Sequence, residues 1–139
     1  MATNVADVMT TEPVSIPADA PARDAARLMR DNDTGDVFVV DGDRLVGIVT
    51  DRDIVVRLIA EGRDPGGSSV LEACSTEIET VTPRTSLSDA AELMRLRAVR
   101  RLPVVEDDRP VGVISLGDLA IEKDEESVLG QVSAMPGNR

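Results

Sequence analysis

The chain has 139 residues with 26 acidic against 15 basic, a formal charge of −11, and is long enough for one ordinary domain or two small, mutually dependent ones. That balance argues against nucleic acid and anionic lipid as partners, because both are held by neutralising phosphates with Lys and Arg. The absence of His, the single Cys and the single aromatic residue, Phe38, exclude zinc fingers, His-based triads, haem ligation by His, an intrachain disulfide and base-stacking platforms.

In chain order, residues 1–4 lack the basic and apolar regions of a secretory signal, and no apolar run approaches the ~18 residues of a membrane span. With the lone Cys74 this gives the expectation of a reducing cytoplasm. An extended stretch over residues 13–16 precedes a helix capped by Asp19, whose Ala22, Ala25, Ala26 and Met29 fall at i, i+3, i+4 and i+7. A β-branched run at 37–40, the turn Asp41-Gly42-Asp43-Arg44 and a second run at 45–49 predict a hairpin, followed by a helix over 51–60. Residues 61–69 are rich in helix and strand breakers. The order then recurs: an extended stretch over 79–82, a helix capped by Ser86 with the stripe Leu87, Ala90, Ala91 and Met94, a hairpin over 102–114 and a helix over about 116–123. Residues 124–139 form a tail with one weak apolar pattern, Val128, Leu129 and Val132, suited to a terminal helix resting on a second chain.

The recurrence has an offset of 65 residues. Asp24-Ala25-Ala26-Arg27-Leu28-Met29-Arg30 matches Asp89-Ala90-Ala91-Glu92-Leu93-Met94-Arg95, and no gap is needed from Asp24 to Ile54. The chain therefore reads as two copies of one β-α-β-β-α unit, an α+β fold, with repeat 1 over residues 1–62, a linker over 63–69, repeat 2 over 70–123 and the tail over 124–139. One copy alone buries too little surface to be secure, so the two are expected to pack together.

The chemistry concentrates in Gly47-Ile48-Val49-Thr50-Asp51-Arg52-Asp53 and its echo Gly112-Val113-Ile114-Ser115-Leu116-Gly117-Asp118. In each, a strand ends at a hydroxyl residue and a carboxylate follows three positions later in the first turn of a helix. One reading is a capping box, in which the hydroxyl takes a free N–H and the acid complements the helix dipole. The other is a ligand site: free N–H groups and the hydroxyl suit a phosphate, and the carboxylate accepts two hydrogen bonds from a ribose diol. The two are compatible. The stretch Asp31-Asn32-Asp33-Thr34-Gly35-Asp36 misplaces the Gly and final ligand of a calcium loop and reads as a helix exit, and no metal site is expected. Cys74 reads as a small core residue.

Two tandem units ending in Gly-x-x-Thr/Ser-x-x-Asp closely resemble a pair of CBS domains, a Bateman module, over residues 5 to 122, and in particular the small stand-alone pairs of the hypoxic-response type. The resemblance implies a pseudo-twofold pair of repeats with two clefts between them, which in many members bind AMP, ADP, ATP or another adenosyl compound. It also implies a homodimer stacked through its helices. Carried over by position, Asp53 and Asp118 would hold ribose, and Thr50 and Ser115 would contact phosphate. Val14, Val37, Phe38, Val81, Leu102 and Pro103 would flank the base, partly through backbone groups, and Arg52, and Arg100 or Arg101, would supply cationic phosphate contacts. Gly117 stands where repeat 1 has Arg52, which marks the Ser115/Asp118 site as the weaker. The expected function is a non-catalytic ligand sensor needing no cofactor and signalling through dimer geometry or an effector protein. The alternative is an interaction module without a nucleotide. An enzyme is disfavoured, because no nucleophile–base pair or metal-ligand cluster is present.

Overall fold

A computed structural model of the chain describes residues 2–123. The tail over 124–139, with its expected terminal helix, lies outside the described residues. The elements are β1 (Thr10–Thr11), β2 (Ser15–Pro17), α1 (Ala22–Asn32), β3 (Asp36–Asp41), β4 (Arg44–Thr50), α2 (Asp51–Ile54), α3 (Leu87–Arg97), β5 (Arg101–Glu106), β6 (Arg109–Ser115) and α4 (Leu116–Lys123). The helix expected over 51–60 widens into a π turn at Val55–Ile59, and short 3-10 turns lie at Val5–Asp7 and Val70–Glu72. The α+β class and the β-α-β-β-α order follow the sequence reading.

The chain forms two compact units, and these are offset from the sequence repeats. One is Pro13–Ile78; the other combines residues up to Glu12 with those from Glu79 onward. Residues 2–12, which the sequence reading places in repeat 1, therefore pack on the body of repeat 2. There β1 pairs antiparallel with β6 through Thr10↔Val113 and Thr11↔Gly112. The Val5 N–H donates to the Thr85 carbonyl at 2.8 Å, and Val5 is fully buried beside Val81, Ala90, Met94, Leu102 and Ile114. The N–H groups of Thr3 and Asn4 donate to Asp7 and hold its carboxyl below the usual range. The lead of repeat 2 does the same for the body of repeat 1. Ser75 exchanges both main-chain bonds with Ile48 (3.0 and 2.8 Å), and Val70 is fully buried with Ile16, Ala22, Ala25 and Leu58. Each lead buries its apolar residue where the partner repeat's helix and sheet leave a gap.

In the Pro13–Ile78 unit the sheet order is β2-β3-β4, with β2 parallel to β3. Val37, Val39 and Val49 face α1 and α2 in the core, while Asp36, Phe38, Ile48 and Thr50 occupy the opposite face by strand alternation. In the second unit the order is β1-β6-β5, with the second hairpin strand central and its edge partner antiparallel; Leu102, Val104 and Ile114 lie in the core and Arg101, Pro103, Val113 and Ser115 on the other face. The stretch expected over 79–82 shrinks to one bridge, Val81↔Val104. Pro103 supplies the reason: its counterpart Phe38 donates its N–H to the Val14 carbonyl at 2.9 Å, and proline has none to give.

Ser86 caps α3 as expected, accepting from the Asp89 N–H at 3.1 Å. Asp19 does not cap α1: Pro21 stands at the cap. The first-turn N–H groups of Ala22 and Arg23 are taken by the carbonyls of Ser68 and Pro65, which leaves a side-chain cap nothing to satisfy there. Both long helices close on a left-handed residue, Asp33 (φ 51°) and Ala98 (φ 53°). Alanine there holds Cβ against the following carbonyl. Ala98→Gly is expected to gain about 0.5–1 kcal/mol after allowing for the unfolded-state freedom of glycine. The check is a higher urea midpoint at unchanged slope; an unaltered midpoint contradicts it.

Candidate functional site

The hydroxyl–carboxylate motif forms the same closed ring in both units. In the first, the Asp53 N–H donates to Thr50 Oγ1 and the Thr50 N–H to Asp53 Oδ2, each at 3.0 Å. In the second, the Asp118 N–H donates to Ser115 Oγ at 3.1 Å and the Ser115 N–H to Asp118 Oδ2 at 2.9 Å. Both are capping boxes built where a strand runs directly into a helix, so strand end and helix start fix the hydroxyl and acid together. All four residues are half-buried.

The strands sort the other candidates. Phe38 and Pro103, both buried, share a sheet face with Thr50 and Ser115 respectively. Val37 and Leu102 turn their side chains into the helix-facing core, as does Val81, so only main-chain groups of these residues remain for a ligand. Val14 packs against the edge of the first core. Arg52 is exposed on the first turn of α2. Arg100 is exposed, with its carbonyl accepting the Leu116 N–H at 2.7 Å, and Arg101 is half-buried at the start of β5.

Sequence reasoning missed Arg57. Its Nη1 donates to the Ala73 carbonyl at 2.7 Å, and its Nη2 lies 3.8 Å from Asp53 Oδ1. The signal was present, since Arg57 is four residues beyond Asp53, the spacing that makes helical neighbours. Repeat 2 has Glu122 at that position, accepting from the Ala2 N–H at 3.1 Å. Cys74 sits beside this pair, in the core, as expected. Burial and the Asp53 carboxylate push its thiol up, with Arg57 acting in the opposite sense. Alkylation of Cys74 by iodoacetamide at pH 8 should be at least about tenfold slower in native than in urea-unfolded protein, because the thiolate is the nucleophile. Equal rates would show an open thiol. Among the described residues no group of three His, Cys, Asp or Glu side chains is placed to hold a metal.

Comparison with known proteins places the whole fold in a family. A CBS domain profile covers residues 5–60 and again 70–125. The chain is 41% identical over 120 residues to the CBS domain-containing protein YhcV of Bacillus subtilis, covering 86% of this chain and 85% of that one. It is 35% identical over 112 residues to hypoxic response protein 1 of Mycobacterium tuberculosis, covering 80% and 78%. Among solved structures, hypoxic response protein I with two coordinated zinc ions superposes with a TM-score of 0.79 at 31% identity, covering 87% and 99%. CBSX2 in complex with AMP gives 0.77 at 26% identity, covering 90% and 98%. With both halves matched in order and the repeated box in place, the chain belongs to the CBS-domain proteins.

Proposed function

We propose that this protein is a non-catalytic regulatory module that senses an adenine nucleotide, held by Thr50 and Asp53 in one unit and by Ser115 and Asp118 in the other. The observation that carries the reading is the exact repetition of hydroxyl, acid and shielded apolar neighbour on the same sheet face of both units. CBS-domain proteins are generally regulatory rather than catalytic, and the AMP held by CBSX2 supports an adenosyl ligand. The zinc of the hypoxic-response relative is not carried over to this chain, which has no His and a single Cys and, among the described residues, no group of three His, Cys, Asp or Glu placed to hold a metal. No helix among the described residues is long and apolar enough to cross a membrane; the cytoplasm is the location that this reading proposes, on the single cysteine of the chain. Val55, Val56 and Ile59 expose 53%, 47% and 56% of their surface along one helix, an apolar face suited to a second copy of the chain. Ligand binding would then act by favouring one arrangement of the dimer or of an effector bound to it.

A second reading has its own support. Both boxes close their hydrogen bonds within the chain as helix caps, so the same four residues suffice for an interaction module with no nucleotide. Calorimetric titration of AMP separates the two. The unaltered protein is expected to bind, and the Asp53→Ala, Asp118→Ala double variant to lose at least about tenfold in affinity at each site, the worth of a charge-assisted bond to ribose. Equal heats from both proteins would end the ribose assignment, and no heat from either would favour the interaction module.

A further inference from the structure

The acid of the first box is backed by a cation that the second box lacks. The Thr50 N–H donates to Asp53 Oδ2, and Arg57 Nη2 lies 3.8 Å from the other oxygen, Oδ1. That separation is too long for a hydrogen bond, so the guanidinium attracts Oδ1 without filling its lone pairs. The Asp53 side chain is only 16% exposed, where charge is screened less than in open water. Arg57 is itself held from behind: Nη1 donates to the Ala73 carbonyl at 2.7 Å and to Ser75 Oγ at 3.4 Å. Both acceptors belong to the lead of repeat 2, which Ser75 pairs to Ile48 and Val70 anchors in the core. Arg57 also sits in the π turn, closed by the Ala60 N–H donating to the Val55 carbonyl at 2.8 Å. Such turns are rare and recur at functional sites. Repeat 2 has neither feature. Its α4 stays α-helical over the matching residues 120–123, and Glu122, another carboxylate, stands four residues beyond Asp118.

We propose that Arg57 is the positioning residue of the Thr50–Asp53 site: it aims the Asp53 carboxylate at a ribose diol and ties that aim to the docking of residues 70–75. This rests on the nucleotide reading above. A carboxylate meets a diol through both oxygens and so works at one angle only. The Thr50 N–H sets one oxygen and the Arg57 guanidinium sets the other, and each oxygen keeps a lone pair for a hydroxyl. Because the same guanidinium is bonded to the lead, a ligand that holds Asp53 in this pose also favours the docked lead, and the effect runs equally in the other direction. Asp118 has no such brace, so the link between ligand and lead belongs to the first unit alone.

The test uses the Asp118→Ala chain, whose working site is Thr50–Asp53, titrated calorimetrically with adenosine and with 2′,3′-dideoxyadenosine, which lacks the diol. Adenosine is expected to bind about tenfold more tightly, the worth of a charge-assisted bond to ribose. Adding Arg57→Met, which keeps the apolar stem and removes the guanidinium, should erase most of that margin and leave dideoxyadenosine within about twofold. Dideoxyadenosine affinity thus reports that the site is still folded. In hydrogen exchange, saturating adenosine should slow residues 70–76 about fivefold with Arg57 in place and leave them unaltered in Arg57→Met. The proposal is overturned if Arg57→Met weakens both probes alike, which would make Arg57 a structural residue, or if the margin or the slowed exchange survives the substitution. If the two probes bind alike with Arg57 intact, the ribose assignment of Asp53 falls. If the unaltered chain binds neither, the nucleotide reading itself falls, and in both cases the positioning role falls with it.

Discussion

Val5→Ala is expected to speed amide hydrogen exchange in residues 101–115, and Val70→Ala in residues 36–50, each by about 30-fold. The effect is crossed with respect to the sequence: the first residue belongs to repeat 1 and loosens the hairpin of repeat 2, and the second does the converse. Both valines are fully buried, Val5 among Leu102, Val104 and Ile114, and Val70 among Val37, Val39 and Val49. Truncating a buried valine removes two methyl groups from water exclusion and leaves a partly collapsed cavity, at about 2 kcal/mol. Ten-fold per 1.4 kcal/mol converts that to the stated change where exchange follows opening of the unit. Hydrogen exchange read by mass spectrometry locates the loss. Faster exchange at 36–50 in Val5→Ala, with 101–115 unaffected, would mean that the leads are not exchanged.

Why the sequence disclosed the bodies of the repeats and hid their leads is a matter of range. The stripe from Ala22 to Met29 and the runs on either side of Asp41-Gly42-Asp43-Arg44 are local periodicities, and they yielded α1, β3 and β4 closely. The 65-residue offset did the rest for α3, β5, β6 and α4. Thr50 with Asp53, and Ser115 with Asp118, were legible because a box needs only three residues of spacing. The exchange of leads rests on a two-residue strand and a single bridge, too short for any period, whose partners lie about 100 and 27 residues away along the chain. Asp19 was misread as a cap because the carbonyls of Pro65 and Ser68 that replace it come from the linker over 63–69, far along the chain. The facing of Asp36 and Thr50 depends on hairpin register, and a bulge between Val39 and Val40 shifts that register by one residue.

Gly47→Ala and Gly112→Ala are expected to cost about 1–3 kcal/mol each, the range of forced overpacking. Neither glycine is needed for its backbone conformation; each is needed for room. A Cβ on Gly47 would stand 2.7 Å from the Ser75 carbonyl oxygen and 3.0 Å from Cys74 Sγ, and one on Gly112 would stand 2.8 Å from both the Thr10 carbonyl oxygen and Met9 Sδ. The Met9 thioether can swing aside, but the two carbonyls belong to the lead segments themselves, so the lead must lift and its pairing with β4 or β6 must stretch. The cost should be larger at Gly47, where both neighbours are short and fixed. Gly67→Ala is the control, because its nearest atom lies at 3.8 Å and its loss should stay within about 0.5 kcal/mol. Urea denaturation measures all three, and a Gly47→Ala midpoint equal to that of Gly67→Ala would refute the close crossing. The same substitution reaches the proposed ligand residues through the lead. The lead that Gly47 accommodates supplies the Ala73 carbonyl that holds Arg57 beside Asp53. Gly47→Ala should therefore weaken ligand affinity at Thr50–Asp53 as well as stability, while Gly112→Ala, whose unit has Glu122 in place of Arg57, should alter stability alone.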